Sequence, residues 1–181
     1  MIRIRIFLFL LFIISLTSCN KNSSLSIDPA LEGEWMSSSN NRLRHVFNSD
    51  STYFVGAVGT PYYLENNGNT LNINNITYYT RQSGNPASIV GHWRDDPNGE
   101  EAYYRSDGRY MALFDNDPFV YYGTYSVAQG LFTNYEYRNL YETNGNQLIF
   151  HYLNSNTQVA ITYSIVSNVL TMGGESYTKV P

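Results

Sequence analysis

The sequence has few charged residues and a single cysteine. Of its 181 positions, 14% are charged, while 43% are hydrophobic and 15% are aromatic, a composition that excludes an intrinsically disordered chain. Eleven Lys and Arg against fifteen Asp and Glu exclude the basic surface that nucleic acid requires, so we expect no nucleic-acid partner. Phosphate loops, dinucleotide fingerprints and Gly-x-Ser-x-Gly motifs are also absent from the sequence. We therefore predict a folded protein that is not an enzyme and has no cofactor.

Helical periodicity is missing from the chain after residue 30, whereas short runs of Tyr, Phe, Val, Ile and Thr recur between turn signals. Three runs alternate with a period of two, which places each set on one face of a strand. These sets are Phe119, Tyr121, Tyr125 and Val127; Leu148, Phe150 and Tyr152; and Val159, Ile161, Tyr163 and Ile165. The pattern predicts an all-β protein.

Tight-turn sequences separate the predicted strands. They are Ser49-Asp50-Ser51, Asn66-Asn67-Gly68-Asn69, Ser106-Asp107-Gly108, Asn144-Gly145-Asn146 and Ser167-Asn168. Asn, Asp and Gly tolerate the left-handed conformation that short hairpin loops demand. Hairpins that follow one another in sequence form an antiparallel meander, and a meander that closes on itself removes its exposed edges.

The N-terminal segment has the pattern of a secretion signal. Arg3 and Arg5 precede an apolar run over residues 6–16, which is too short to span a bilayer as a helix. The sequence Leu16-Thr17-Ser18-Cys19 then resembles the lipobox of bacterial lipoproteins. The resemblance implies that residues 1–18 are removed and that Cys19 is lipidated. Residues 19–30, which are rich in Ser and Asn, would form a flexible tether.

The same resemblance gives a location. Position 20 is Asn and not the Asp that commonly retains lipoproteins in the inner membrane, which implies the outer membrane. The periplasmic face is favoured, with the cell surface as the alternative. Removal of residues 1–18 leaves 9 basic and 15 acidic residues, so the mature charge is about −6 and the body is not attracted to anionic membranes. The membrane is then a partner through the lipid alone.

Three short matches indicate a partial internal repeat. Gly33-Glu34-Trp35 recurs as Gly91-His92-Trp93, and Ser49-Asp50 with Tyr53 recurs as Ser106-Asp107 with Tyr110. Glu65-x-Asn67-Gly68-Asn69-x-Leu71 recurs as Glu142-x-Asn144-Gly145-Asn146-x-Leu148. These matches predict two units, residues 31–82 and 89–181. The first unit would be marginal alone, so we favour one shared core, with two tandem modules as the alternative.

A unit that starts with Gly-x-Trp and continues as antiparallel hairpins resembles the lipocalin-like domains of bacterial lipoproteins. The resemblance implies a β-barrel over residues 31–181 with Trp35 and Trp93 as structural closures. In such barrels the Trp packs under a basic side chain of a late strand, a position that Lys179, or Arg81 for the first unit, takes here.

No metal site is predicted. His45, His92 and His151 fall on separate predicted strands without ligand partners at suitable spacing. The acidic clusters at Asp95-Asp96, Glu100-Glu101 and Asp115-Asn116-Asp117 are typical of polar hairpin tips. A pair of catalytic carboxylates among them would depend on their separation in space.

Two functions remain. The first is a non-catalytic module that binds a small apolar or amphipathic ligand inside the barrel. Its candidate interior residues are Tyr121, Tyr125, Phe150, Tyr152, Ile161 and Tyr163. The second is an interaction protein with a filled barrel that attaches to an unidentified envelope protein.

Overall fold

The computed structural model describes residues 26–152 and 157–181, with the backbone alone described at Tyr152. The predicted signal peptide and Cys19 lie outside the described residues. These described residues form fourteen strands: β1 (Gly33–Ser37), β2 (Leu43–Phe47), β3 (Thr52–Glu65), β4 (Thr70–Ile73), β5 (Thr77–Gly84), β6 (Gly91–Asp95), β7 (Glu100–Tyr104), β8 (Arg109–Phe114), β9 (Asp117–Ala128), β10 (Leu131–Asn144), β11 (Gln147–Tyr152), β12 (Gln158–Val166), β13 (Val169–Met172) and β14 (Glu175–Lys179). A short 3₁₀ turn, Asn66–Gly68, separates β3 from β4.

The strands form an antiparallel meander that closes on itself, as the sequence predicts. Each strand pairs with the next in the chain, and β14 pairs with β1 so that Lys179 lies opposite Trp35. All five predicted turn sequences connect consecutive strands. Their left-handed residues include Asn67 and Asn168, at φ 56° and 63°, which explains the choice of Asn.

An additional pairing between β3 and β10 divides the closed sheet into two rings. One ring, here called the terminal ring, contains β1, β2, β3, β10, β11, β12, β13 and β14. The other, here called the inserted ring, contains β3, β4, β5, β6, β7, β8, β9 and β10. The two long strands are shared: the first half of β3 pairs with β2 and its second half with β4. The second half of β10 pairs with β11 and its first half with β9.

Two register shifts interrupt the shared β3–β10 pair. One lies between Phe132 and Asn134, opposite Gly59, and the other between Tyr137 and Asn139. Gly59 has a φ of 65°, which suits glycine at a bulge. A bulge adds one residue to a strand and so changes the phase of its alternation: on β10, Phe132 lies in one core and Tyr141 in the other.

Each ring has its own hydrophobic core. The core of the terminal ring contains Leu31, Trp35, Phe47, Tyr53, Tyr141, Leu148, Phe150, Tyr163, Leu170, Met172 and Tyr177. The core of the inserted ring contains Leu71, Tyr79, Ile89, Trp93, Ala102, Tyr104, Tyr110, Ala112 and Phe132. A shared core for the two predicted repeat units is therefore not what the structure shows, since the inserted ring carries a second core.

The two rings repeat each other position by position. Trp35 lies opposite His45 and Lys179 in one ring, as Trp93 lies opposite Ala102 and Arg81 in the other. Tyr53 and Tyr110 also correspond, since they pair with Phe47 and Tyr104. These correspondences include the first two sequence matches.

The third sequence match does not join equivalent positions. Leu71 pairs with Tyr79 in the inserted ring, and its counterpart is Leu170, which pairs with Tyr177 in the terminal ring. Leu148 corresponds to Phe132, because each is the second residue of the strand after a hairpin turn and each lies in the core of its ring. The rings therefore do not coincide with units 31–82 and 89–181: the inserted ring, between β3 and β10, interrupts the terminal one. The arrangement is also not a pair of tandem modules.

Candidate functional site

Each ring contains a buried tryptophan that packs against a basic side chain. The indole N–H of Trp35 donates to the carbonyl of Leu31 at 2.7 Å, and that of Trp93 donates to the carbonyl of Ile89 at 2.7 Å. Lys179 Nζ lies 5.3 Å from the centre of the Trp35 ring. Both tryptophans are fully buried.

The partner of Trp93 is Arg81, whose guanidinium carbon lies 4.0 Å from the ring centre. Arg81 comes earlier in the chain than Trp93, so the basic residue does not belong to the repeat unit to which the sequence assigns it. Arg81 contacts Trp93 because β5 and β6 are paired neighbours in the inserted ring, where Arg81 lies directly opposite Trp93. Trp35 and Trp93 thus each lie in the core of one ring beneath a basic side chain, Lys179 in one ring and Arg81 in the other.

In each ring, the hydroxyl of a strand tyrosine is hydrogen-bonded to a turn carbonyl. Tyr141 OH donates to the carbonyl of Asn48 at 2.9 Å, and Tyr125 OH donates to the carbonyl of Arg105 at 2.6 Å. Each carbonyl belongs to the first residue after a strand, where the chain turns. These bonds fix the turns that precede β3 and β8.

The terminal ring contains a pocket of about 400 Å³ that opens to solvent. Its apolar lining consists of Leu43, Val55, Phe150, Ile161 and Met172. The polar lining consists of His45, Tyr53, Glu175 and Tyr177. A volume of this size, with a mostly apolar wall and a few polar groups, is typical of sites for small molecules.

His45 supplies the one polar atom of this wall that is buried without a hydrogen-bond partner among the described residues. The residue is 9% exposed, and Nε2 has no partner while Nδ1 is hydrogen-bonded to the Tyr53 hydroxyl. The ring lies edge-on to Tyr177, with centroids 4.7 Å apart. A buried nitrogen without a partner is costly, which makes a ligand at this position favourable.

The environment keeps His45 uncharged. Burial lowers the pKa of its imidazole from 6.5 to about 4, against the opposing effect of the Glu175 carboxylate. Glu175 is exposed at the rim, where it accepts a hydrogen bond from Tyr177 OH at 3.0 Å. Burial and this bond raise the pKa of Tyr177 to about 12. At neutral pH the pocket therefore presents a neutral imidazole inside and a carboxylate outside.

The equivalent region of the inserted ring is polar. Glu100 takes the place of Leu43, Ala102 that of His45 and Asn134 that of Phe150. Burial raises the pKa of Glu100, although a hydrogen bond from Tyr79 opposes the effect. Burial also raises the pKa of Glu136, which Tyr110 OH approaches at 3.4 Å. Equivalent strand positions of the two rings therefore hold different side chains: apolar residues and a histidine in the terminal ring, and acidic and amide groups in the inserted ring.

The six candidate interior residues are divided between the rings. Phe150 and Ile161 line the pocket, and Tyr163 lies in the core of the same ring, where its hydroxyl donates to Asp28 at 2.8 Å. Tyr121 and Tyr125 pack against the core of the inserted ring. The side chain of Tyr152 lies outside the described part of the chain.

Sequence reasoning missed His45, Tyr53, Glu175 and Tyr177 as wall residues. His45 is in phase with Phe47 on β2, which is a signal for an inward side chain. Glu175 follows the Gly173-Gly174 turn, a hairpin signal that sets the register of β14. Neither pattern indicates that a cavity lies behind it.

The other two histidines lie on the outer surface. His92 Nε2 is 3.1 Å from Glu101, and His151 Nε2 is 3.1 Å from Glu142. Within residues 26–152 and 157–181, no three His, Cys, Asp or Glu side chains converge to hold a metal ion. The same part of the chain contains no helix long and apolar enough to cross a membrane.

Comparison with known proteins gives no relative: no family model, curated protein or solved structure matches the chain.

Proposed function

We propose that the chain is a lipid-anchored envelope protein whose terminal ring binds a small apolar or amphipathic ligand without catalysis. The observation that carries the proposal is the open pocket of about 400 Å³ whose lining includes His45, a residue whose buried Nε2 has no partner in the described residues. In the empty pocket that nitrogen stays buried without a partner, which is costly, whereas a ligand would both fill the space and satisfy the nitrogen.

The proposed anchor is lipidated Cys19 after removal of residues 1–18, with the protein at the outer membrane facing the periplasm. The lipobox supports this placement. Metabolic labelling with an alkyne fatty acid tests it: the wild-type chain is labelled and Cys19→Ser is not. Labelling of Cys19→Ser would refute the anchor and leave the pocket untouched.

The proposed domain is lipocalin-like. A Gly-x-Trp strand begins the closed antiparallel meander, and a basic residue of the last strand covers the indole, which supports the identity. The inserted ring, with its own Trp93 and Arg81, is an elaboration of that plan.

Native mass spectrometry of the protein purified gently from its cells tests ligand binding. We expect a retained small molecule in the wild type and its loss in Ile161→Trp, which fills the pocket. The matched control is Thr162→Trp, because Thr162 is the exposed neighbour on the same strand and faces outward. Equal retention by both variants would contradict the proposed site.

An interaction protein is the second candidate. Cross-strand neighbours form an outer row across the shared strands, made of Tyr103, Met111, Tyr122, Tyr137, Phe54 and Val46. Tyr122 is 58% exposed in this row. Envelope cross-linking that Tyr122→Lys abolishes, together with a wild type free of any retained molecule, would favour this candidate.

A further inference from the structure

We infer that the ligand of the terminal-ring pocket is an uncharged amphiphile with a hydroxyl group, and that long-chain carboxylates are excluded. The inference rests on the proposed ligand-binding function and adds the chemistry of the ligand. It is carried by the geometry around His45 and by the charges of the lining.

The hydroxyl follows from the hydrogen-bond geometry of His45. If Tyr53 OH donates to Nδ1, then Nε2 carries the proton and needs an acceptor. If Nδ1 donates to the Tyr53 oxygen, then Nε2 is bare and needs a donor. A hydroxyl is both a donor and an acceptor, so it satisfies Nε2 in either tautomer. A carbonyl, which only accepts, or an ammonium group, which only donates, satisfies only one of them.

The exclusion of carboxylates follows from the lining charges. Among the residues that line the pocket in the described part of the chain there is neither lysine nor arginine. The one carboxylate present, Glu175, lies at the rim and has the same sign as a fatty-acid head. A carboxylate seated at His45 would therefore be desolvated beside a neutral imidazole, with a like charge nearby.

The rest of the wall suits an alkyl chain. Leu43, Val55 and Ile161 are aliphatic, and Met172 adds a flexible, polarisable side chain. Burial of methylene groups against them supplies the affinity, while the hydroxyl selects the orientation.

The inserted ring shows which residue can replace His45. Ala102 occupies the position of His45 there, so the same frame accommodates alanine at that point. His45→Ala therefore removes the imidazole without a demand on the backbone. Glu175→Gln, at an exposed position, removes the rim charge and keeps an acceptor for Tyr177.

Displacement of the uncharged dye phenylnaphthylamine from the full chain, as isolated from the cell, tests the inference at neutral pH. We expect decanol to displace the dye at a concentration about tenfold lower than decanoate does. His45→Ala should raise the concentration of decanol required by about tenfold and leave that of decane unchanged. Glu175→Gln should lower the concentration of decanoate that displaces the dye by about twofold to tenfold.

The outcomes separate the two claims. Dye that binds, with decanoate as effective as decanol, overturns the inferred selectivity and leaves the ligand-binding function standing. Dye that binds neither the wild type nor Glu175→Gln overturns the function itself. A wild type that prefers decanol and keeps the preference in His45→Ala overturns the assignment of the hydroxyl to Nε2.

Discussion

Trp35 and Trp93 make the same hydrogen bond at the same distance, although they are 58 residues apart. Each indole donates to the carbonyl four residues earlier at 2.7 Å and is capped by a basic side chain from the strand that closes its ring. The two caps differ in strength. Arg81 also donates to the carbonyls of Gly68 and Ser88, at 2.6 and 2.8 Å, whereas Lys179 makes one long bond, to Ala30 at 3.4 Å.

Replacement of the two caps should therefore have unequal effects on stability. Arg81→Met should lower the free energy of unfolding by about 2–4 kcal/mol, because the partly buried carbonyls of Gly68 and Ser88 lose charged donors. Lys179→Met should cost about 1 kcal/mol or less, because its side chain makes a weaker contact. Chemical denaturation of both variants measures the difference. Equal losses would show that stacking on the indole, and not the bonds to carbonyls, dominates.

Tyr141 and Tyr125 provide a second matched pair. Tyr141→Phe should lower the free energy of unfolding by about 1 kcal/mol, because the buried hydroxyl leaves the Asn48 carbonyl without that bond. Tyr125→Phe should cost less, since its hydroxyl bond to Arg105 is exposed and water replaces it. Thermal unfolding compares the two variants. A larger loss in Tyr125→Phe would contradict the ranking.

These pairs show what the sequence could and could not predict. The turns were predictable because Asn67 and Asn168 mark left-handed positions through local chemistry. The β3–β10 pairing was not, because it joins Thr52 to Leu140 over a long separation and depends on bulges. Without that pairing Arg81 could not be assigned to Trp93, and the pocket behind His45 could not be seen.

Acid should weaken the fold through His45. Its folded pKa of about 4 lies below the unfolded value of 6.5, so the unfolded chain takes up the proton first as the pH falls. The resulting loss in the free energy of unfolding is absent above pH 6.5, grows as the pH falls from 6.5 to 4, and reaches up to roughly 3 kcal/mol.

The free energy of unfolding of wild type and His45→Ala, measured across this pH range, isolates the effect. We expect the wild type to lose more stability than the variant as the pH falls. Parallel curves would show that His45 is not held neutral. Glu100 and Glu136 have raised pKa values and act in the opposite direction in both proteins, so they cancel from the comparison.

Removal of the buried charge at Glu100 should stabilise the inserted ring. Its pKa is raised because burial disfavours the carboxylate, and Glu100→Gln keeps an acceptor for Tyr79. The variant should melt at a higher temperature than the wild type at neutral pH. The gap should close as the pH falls, because the wild-type carboxyl then becomes neutral too. Glu32→Gln, at an exposed position, is the control and should change little. A lower melting temperature for Glu100→Gln would contradict the account.

The ligand site at His45 is the central claim, and the nitrogen resonances of the histidine rings test it most directly. With ¹⁵N-labelled histidine and added decanol, we predict that the Nε2 resonance of His45 shifts while those of His92 and His151 stay in place. Ile161→Trp should abolish the shift. Decanol that binds with no change at His45 would contradict the account.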